Sequence, residues 1–551
     1  MTAKKDSITR FFEIVPGILT WATLIGAPLF SYFHPAWVAV YIILFDLYWF
    51  LKAGNVAIHL MHSYRNLKTH EKIDWRDYLS KLSDLEKFKN NLRLCFTQAS
   101  SRKLRNFYQS QMERVEKIPA NRNLDASRIY HLIILPTYKE SLQVLESSIA
   151  SCVAADYSKE KMIVILAVEE RGGAETAENA KLLSEKFGSA FYKFITVVHP
   201  DGLSGEAKVK GANITYSAIK AQKLFDELKI PYEDVIVSAF DSDTIASKNY
   251  FAHLTYDFLT AKKPLQTSYQ PMPMFLNNIW DTPAIARVIA VSSSFWQLVE
   301  ASRPDRLVTF SSHSMSFKTL VDVGFWRKDL IPDDSHIFWQ CFAHFNGDYR
   351  AQPLFTTLYM DAVLGESYFG TLVAQYKQKR RWAWGVLEIS MLFPEFLRNK
   401  KIPLWKKLVY GERLVEGHYF WATASLLIAL LGWLPLLLGG DRFGQSVLAV
   451  NLPFMTKIIM TVATFFLLFS MYVNMVILPP RPAKYGKLKT LSMLLQWVFS
   501  PIVSSIFGSL PAIDAQTRLM LGKYMEFYVT PKFRKTKVEI SSEQTTINYA
   551  G

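Results

Sequence analysis

The sequence predicts an α/β protein, a doubly wound and mostly parallel sheet set between apolar helical segments that precede and follow it. Three observations predict it. Short apolar runs alternate with helical stretches between residues 130 and 243, the pattern of parallel strands joined by crossover helices. Between Leu51 and Tyr419 no segment is apolar and long enough to span a bilayer, whereas both flanks carry such segments. The 551 residues are 50% hydrophobic, yet Lys and Arg number 63 against 48 Asp and Glu, a net charge of +15. An apolar but basic chain fits a membrane protein with a positive cytoplasmic side.

Composition also excludes classes. An aromatic content of 14% is too high for a disordered chain. Cys95, Cys152 and Cys341 lie far apart and in no metal spacing, which excludes a disulfide-built secreted scaffold. Nucleic-acid binding is the competing reading of the charge. The basic excess follows the membrane flanks, so no nucleic-acid partner is expected.

The elements follow in order. Residues 14–33 and 36–51 form two apolar runs split by His34-Pro35, a helical hairpin. Lys4, Lys5 and Arg10 precede it, and Lys52, Arg65 and Lys68 follow it. The positive-inside rule therefore places both flanks in the cytoplasm. No short apolar core with a small-residue cleavage site is present, so a signal peptide is not expected. Asp46, inside the second run, needs a partner or a protein-facing position. Residues 65–128 carry helical apolar spacing (Trp75, Tyr78, Leu79, Leu82, Leu85, Phe88) and read as amphipathic helices. A catalytic body is expected over 129–392. Its strands are the runs beginning at Tyr130, Met162, Phe194 and Val235, each ending in polar or acidic residues. Ligands of such sheets bind outside the strands' carboxyl ends. Interfacial helices are expected over 393–418 and a membrane region over 419–515. That region holds spans at 419–438 and 458–478 and a third apolar segment read as a re-entrant hairpin kinked at Pro501. A basic cytoplasmic tail, 516–551, completes the chain.

Four clusters carry candidate chemistry. Asp241-Ser242-Asp243 ends an apolar strand. In an extended segment residues i and i+2 point the same way, so the two carboxylates can meet one Mg²⁺ or Mn²⁺; the alternative is an acidic surface turn. Asp333-Asp334 offers like charges that raise one pKa, as a general base needs, or an Asp cap on a helix beginning near Ser335. Gln378-Lys379-Arg380-Arg381-Trp382 offers guanidinium groups for a diphosphate and an indole for a sugar ring, or a basic face for anionic lipid. Lys208 and Asn213 follow the loop 201–205, where a helix N-terminus suits phosphate; the alternative is a solvated turn.

In this order the residues resemble the membrane-integrated family 2 glycosyltransferases, such as cellulose and hyaluronan synthases. Pro136 to Glu140 resembles P-x-Y-N-E, and Val168-Glu169-Glu170 stands where the family has Val-Asp-Asp. Lys208 to Asn213 resembles K-x-x-x-x-N, Asp241 to Asp243 the D-x-D motif, and Asp333-Asp334 the end of T-E-D. Gln378 to Trp382 matches Q-x-x-R-W, and Val529 to Lys532 resembles a C-terminal V-T-P-K. Two departures stand out: Glu169-Glu170 replaces Asp-Asp, and Ser311-Ser312-His313-Ser314 occupies the acceptor-side segment.

The resemblance implies a GT-A fold and an inverting, metal-dependent transfer from a nucleotide-diphosphate sugar, with uridine as the expected base. It implies Mg²⁺ or Mn²⁺ on Asp241 and Asp243, and Asp334 as catalytic base. Tyr138, Glu169, Lys208, Asp241 and Arg381 are implied in nucleotide-sugar binding, and Gln378, Trp382 and His313 in acceptor binding; His313 is equally read as structural. The acceptor would be a growing glycan exported through the membrane helices or, alternatively, a lipid carrier receiving one sugar. A non-catalytic subunit retaining the fold is the reading from another class. The expected location is a bacterial cytoplasmic membrane, in contact with its lipids and with the active site facing the cytoplasm.

Overall fold

In the computed structural model the chain is described at residues 6–119, 121–534, 538–540 and 547–549. It divides into two compact units: Met1–Met61 with Thr282–Ser292 and Val363–Thr530, and His62–Asp281 with Ser293–Ala362 and Pro531–Gly551.

The second unit is the α/β body. Its sheet has eight strands: β1 (Tyr130–Thr137), β2 (Met162–Glu169), β3 (Lys193–His199), β4 (Val235–Ala239), β5 (Ile245–Ala246), β6 (Thr267–Met274), β7 (Ser314–Ser316) and β8 (Arg350–Tyr359). They lie in the order β3-β2-β1-β4-β7-β6-β8-β5. β3, β2, β1 and β4 are parallel, while β7 pairs antiparallel with both β4 and β6. The sheet is therefore mixed, with the expected parallel half. Helices on its faces bury β1 and β2 almost throughout, which is why these strands read as unbroken apolar runs. The parallel half brings the ends of all four predicted strands to one edge: Thr137, Glu169, His199 and the residues after Ala239.

The amphipathic segment joins this body. Helices Trp75–Lys81, Leu85–Gln98 and Arg102–Glu116 each start at a capping side chain, Asp74, Asp84 and Ser101. Trp75 is 1% exposed. Its indole stacks on His253 at 3.7 Å and 8°, and its Nε1 donates to His70 O at 3.1 Å. Arg114 pairs with Asp257, which also accepts from Gln352 at 2.7 Å. Both pairs lock these helices to helix Tyr250–Thr260.

The first unit is helical. Among the described residues four runs are long and apolar enough to cross a membrane: Ser7–Phe33, Pro35–His70, Leu404–Leu438 and Lys487–Met520. A further apolar helix is Val447–Ile477. Polar side chains stitch the bundle. Thr20 Oγ1 donates to Gln516 at 2.6 Å, Gln516 Nε2 to His418 O at 2.9 Å, and Ser425 meets Ser509 at 2.7 Å. Arg10 closes the end of Lys487–Met520 by donating to the carbonyls of Leu519 and Met520. Asp46 faces protein, beside Leu427, Leu431 and Thr456.

The reversal expected at Pro501 does not occur. The backbone stays helical from Lys487 to Met520. Pro501 follows a 3₁₀ turn, Gln496–Phe499, and stands in the first turn of the segment after it. A π-helical stretch, Val503–Ser509, follows it.

Candidate active site

The turn after β4 holds the acidic motif, but not in the extended form expected. Thr244 N donates to Asp241 O at 3.0 Å, closing a tight turn. Asp241 N donates in turn to Thr244 Oγ1 at 3.1 Å and Ser312 Oγ at 3.2 Å. Ser312 supplies that hydroxyl from a left-handed backbone, φ 61°. The two carboxylates consequently have different neighbours. Asp241 accepts from Lys210 Nζ at 2.7 Å and Ser311 Oγ at 2.6 Å. Asp243, 2% exposed, accepts from Asp361 N at 2.9 Å and Lys532 Nζ at 2.8 Å.

Lys210 organises the rest. Its ammonium also donates to Asp334 at 3.0 and 3.2 Å, and Asp333 Oδ2 lies 3.9 Å away. It stands at the first position of helix Lys210–Leu228, and Gly211 next to it lets the helix close on Asp333. A Cβ on Gly211 would lie 2.4 Å from Arg327 O and 3.2 Å from Asp333 Cβ. Asp333 and Asp334 open helix Asp333–His344, whose cap position is Pro332. Neither caps it by side chain, so the capping alternative fails; both still favour the positive helix end.

Electrostatics separates the carboxylates. Burial alone would raise Asp241, but Lys210 and Lys532 outweigh it and hold its carboxyl below the usual range. Burial raises Asp243, opposed by Lys532 and reinforced by Asp361 and Asp241. Burial, then the neighbouring Asp334, pushes Asp333 up to about 8. Asp333 is 4% exposed and Asp334 24% by side chain. Asp334 is therefore the member of the pair that reaches solvent, and Thr309 Oγ1 fixes its backbone carbonyl at 2.7 Å.

The other predicted residues separate into groups. Tyr138 and Glu169 come together through Arg171, which pairs with Glu169 and lies 4.4 Å over the Tyr138 ring. Lys208 is 64% exposed by side chain and pairs with Asp201. The Asp241 and Asp334 carboxylates are joined by Lys210. Asn213 donates to Ala167 O at 2.8 Å and ties its helix to β2. His313 is wholly buried, its Nδ1 3.1 Å from Phe310 O and 3.7 Å from Asp334 Oδ1, and burial lowers its pKa. Gln378, Arg381 and Trp382 belong to the helical unit and share one face of helix Tyr368–Ala383. Lys379 Nζ lies 4.5 Å over the Trp382 ring, and Arg381 4.8 Å over that of Phe527.

A divalent cation fits the chemistry of this edge. Asp241 and Asp243 are hard carboxylate donors, and the Lys532 ammonium already stands as a cation within the field of both. Among the described residues no group of three or more His, Cys, Asp or Glu side chains could hold a metal alone. A cation here would need ligand oxygens, as Mg²⁺ sites on phosphates do.

A family model described as glycosyl transferase family group 2 matches residues 236–479. This stretch holds Asp241, Asp243, Asp333, Asp334 and the Gln378–Trp382 segment. No curated protein sequence matches. Among solved structures the chain is similar to the mannosyltransferase PcManGT from Pyrobaculum calidifontis, in complex with GDP-Man and Mn²⁺. Identity is 18% over 70% of this chain and 99% of that one, TM-score 0.39. S. aureus TarS 1-349, in complex with UDP-GlcNAc, matches at 12% identity over 73% of this chain and 95% of that one, TM-score 0.34.

Proposed function

We propose that the chain is an inverting, metal-dependent glycosyltransferase of the family 2 type, embedded in the cytoplasmic membrane with its active site facing the cytoplasm. One observation carries this reading. Lys210 joins Asp241 of the first acidic motif to Asp334 of the second, so a cation-binding carboxylate and a solvent-reaching carboxylate share one sheet edge.

The residues then have these roles. Asp241 and Asp243 would hold Mg²⁺ or Mn²⁺, which offsets charge on the departing diphosphate when bound. Tyr138, with Glu169 and Arg171 beside it, receives the base. Asp334 takes the proton from the acceptor hydroxyl as its oxygen attacks the anomeric carbon from the side opposite the diphosphate. Asp333 stays protonated at neutral pH, so a single negative charge is offered there. Lys210 holds Asp334 in place, with the buried His313 ring 3.7 Å away. The roles of Arg381 on diphosphate and of Trp382 and Gln378 on acceptor sugar are supported by the Q-x-x-R-W pattern. The product is a growing glycan passed into the membrane helices; a single-sugar product on a lipid carrier would identify the alternative acceptor.

Asp334→Asn tests the assignment. A general base contributes about 10²–10⁴-fold, so transfer should fall by that factor while donor affinity, read by titration, stays within about twofold of wild type. Retained turnover, or loss of donor binding, would refute the role.

A further inference from the structure

The C-terminal segment supplies a second cation to the acidic edge. Lys532 Nζ donates to Asp243 Oδ1 at 2.8 Å and to Ser242 Oγ at 2.9 Å. Two residues on, Arg534 is 1% exposed by side chain and donates to both oxygens of Asp361 at 2.8–3.1 Å. Asn278 Nδ2 holds the Phe533 carbonyl at 3.4 Å. Asp361 itself donates its N–H to Asp243, so anchor and site are linked by one peptide group.

The two basic residues do different work. Arg534 and Asp361 are fully enclosed, and breaking such a pair leaves a buried charge. Lys532 is 20% exposed by side chain, and its flexible stem allows the ammonium to swing away. Asp243 has one oxygen engaged by a backbone N–H and the other by Lys532. A divalent cation binding that second oxygen must displace the ammonium.

We propose that Lys532 is an internal competitor for the divalent-cation site, a latch held near Asp243 by the Arg534–Asp361 anchor and released when the cation binds. The proposal rests on Asp241 and Asp243 being that cation site. A tethered competitor acts at high effective concentration, so the latch sets a threshold: the site stays closed until cation, with or without donor diphosphate, outcompetes the lysine. With the latch closed in nine molecules of ten, about tenfold of apparent cation affinity is masked.

The test is Mn²⁺ binding with saturating UDP or GDP supplying the diphosphate oxygens, followed by electron paramagnetic resonance on the full chain in detergent. Lys532→Met should bind Mn²⁺ about tenfold more tightly than wild type, and Asp243→Asn should abolish that binding in both backgrounds. In wild-type protein, trace acetylation of Lys532 read by mass spectrometry should rise on Mn²⁺ saturation, a readout independent of the variant's folding. Unchanged or weaker Mn²⁺ affinity in Lys532→Met, or acetylation indifferent to Mn²⁺, would overturn the latch and leave the transferase reading standing. Absence of Mn²⁺ binding in both proteins with either nucleoside diphosphate present would instead overturn the metal-dependent reading and the latch with it.

Discussion

Lys210→Met removes the one ammonium that joins three carboxylates. Lys210 is 11% exposed by side chain, Asp241 25% and Asp334 24%. Stripping one partner from a buried ion pair costs about 3–5 kcal/mol, and partial access to water places this site near about 3 kcal/mol. At about 2 °C per kcal/mol for a body of this size, the melting temperature should fall by about 6 °C. The pH dependence has a definite sign. Asp241 is held below the ordinary carboxylate range, so the stabilisation it draws from Lys210 is full above about pH 4 and lost as pH falls through the depressed value. The deficit of the variant should therefore be large at pH 7 and shrink in acid. Scanning fluorimetry of both proteins in one detergent measures it, with Asp241→Asn as the second arm of a double-mutant cycle. Equal melting at pH 7, or a deficit no smaller in the Asp241→Asn background, would show that Lys210 does not stabilise the fold through Asp241.

Other outcomes follow from the same geometry. Gly211→Ala should cost about 1–3 kcal/mol by overpacking against Arg327 and Asp333 and weaken donor binding; melting and donor titration check both. Asp333, raised to about 8, keeps its proton in the folded state where the unfolded chain has lost it. It therefore makes stability fall as pH rises from about 4 to about 8. Asp333→Asn should flatten that fall in a series of melts across the range. Trp75→Ala should cost about 3–5 kcal/mol although Trp75 lies outside the sheet; melting close to wild type would show that helix Trp75–Lys81 does not belong to the core.

Much of the fold was legible because each parallel strand is a long apolar run that ends abruptly. β1 and β2 begin at Tyr130 and Met162, where their apolar runs were expected to begin. β6 was not legible. Its run TSYQPMPM contains two prolines, which argue against a strand, and a register shift between Gln270 and Met272 accommodates the first of them, Pro271. β5 and β7 have two and three residues, too few for any periodicity. The carboxylates of the site were legible as motifs; their partners were not. Lys208 and Lys210 look alike in sequence, and only the start of the helix and the return of Asp334 decide which one turns inward. The turn at Asp241 depends on hydroxyls from Thr244 and the distant Ser312, and the Lys532 contact spans 289 residues. No local pattern carries such pairings.

Metal-dependent transfer of a sugar from its nucleotide diphosphate releases a nucleoside diphosphate that can be followed directly. The most direct measurement is nucleoside-diphosphate release by purified, lipid-reconstituted protein across a panel of nucleotide sugars, with Mn²⁺, Mg²⁺ or chelator, followed by sizing of the sugar product. Release is expected from at least one donor, lost in chelator and in Asp334→Asn, together with a long glycan. Release indifferent to both chelator and Asp334→Asn, or no release from any donor by a protein that binds one tightly, would contradict such transfer.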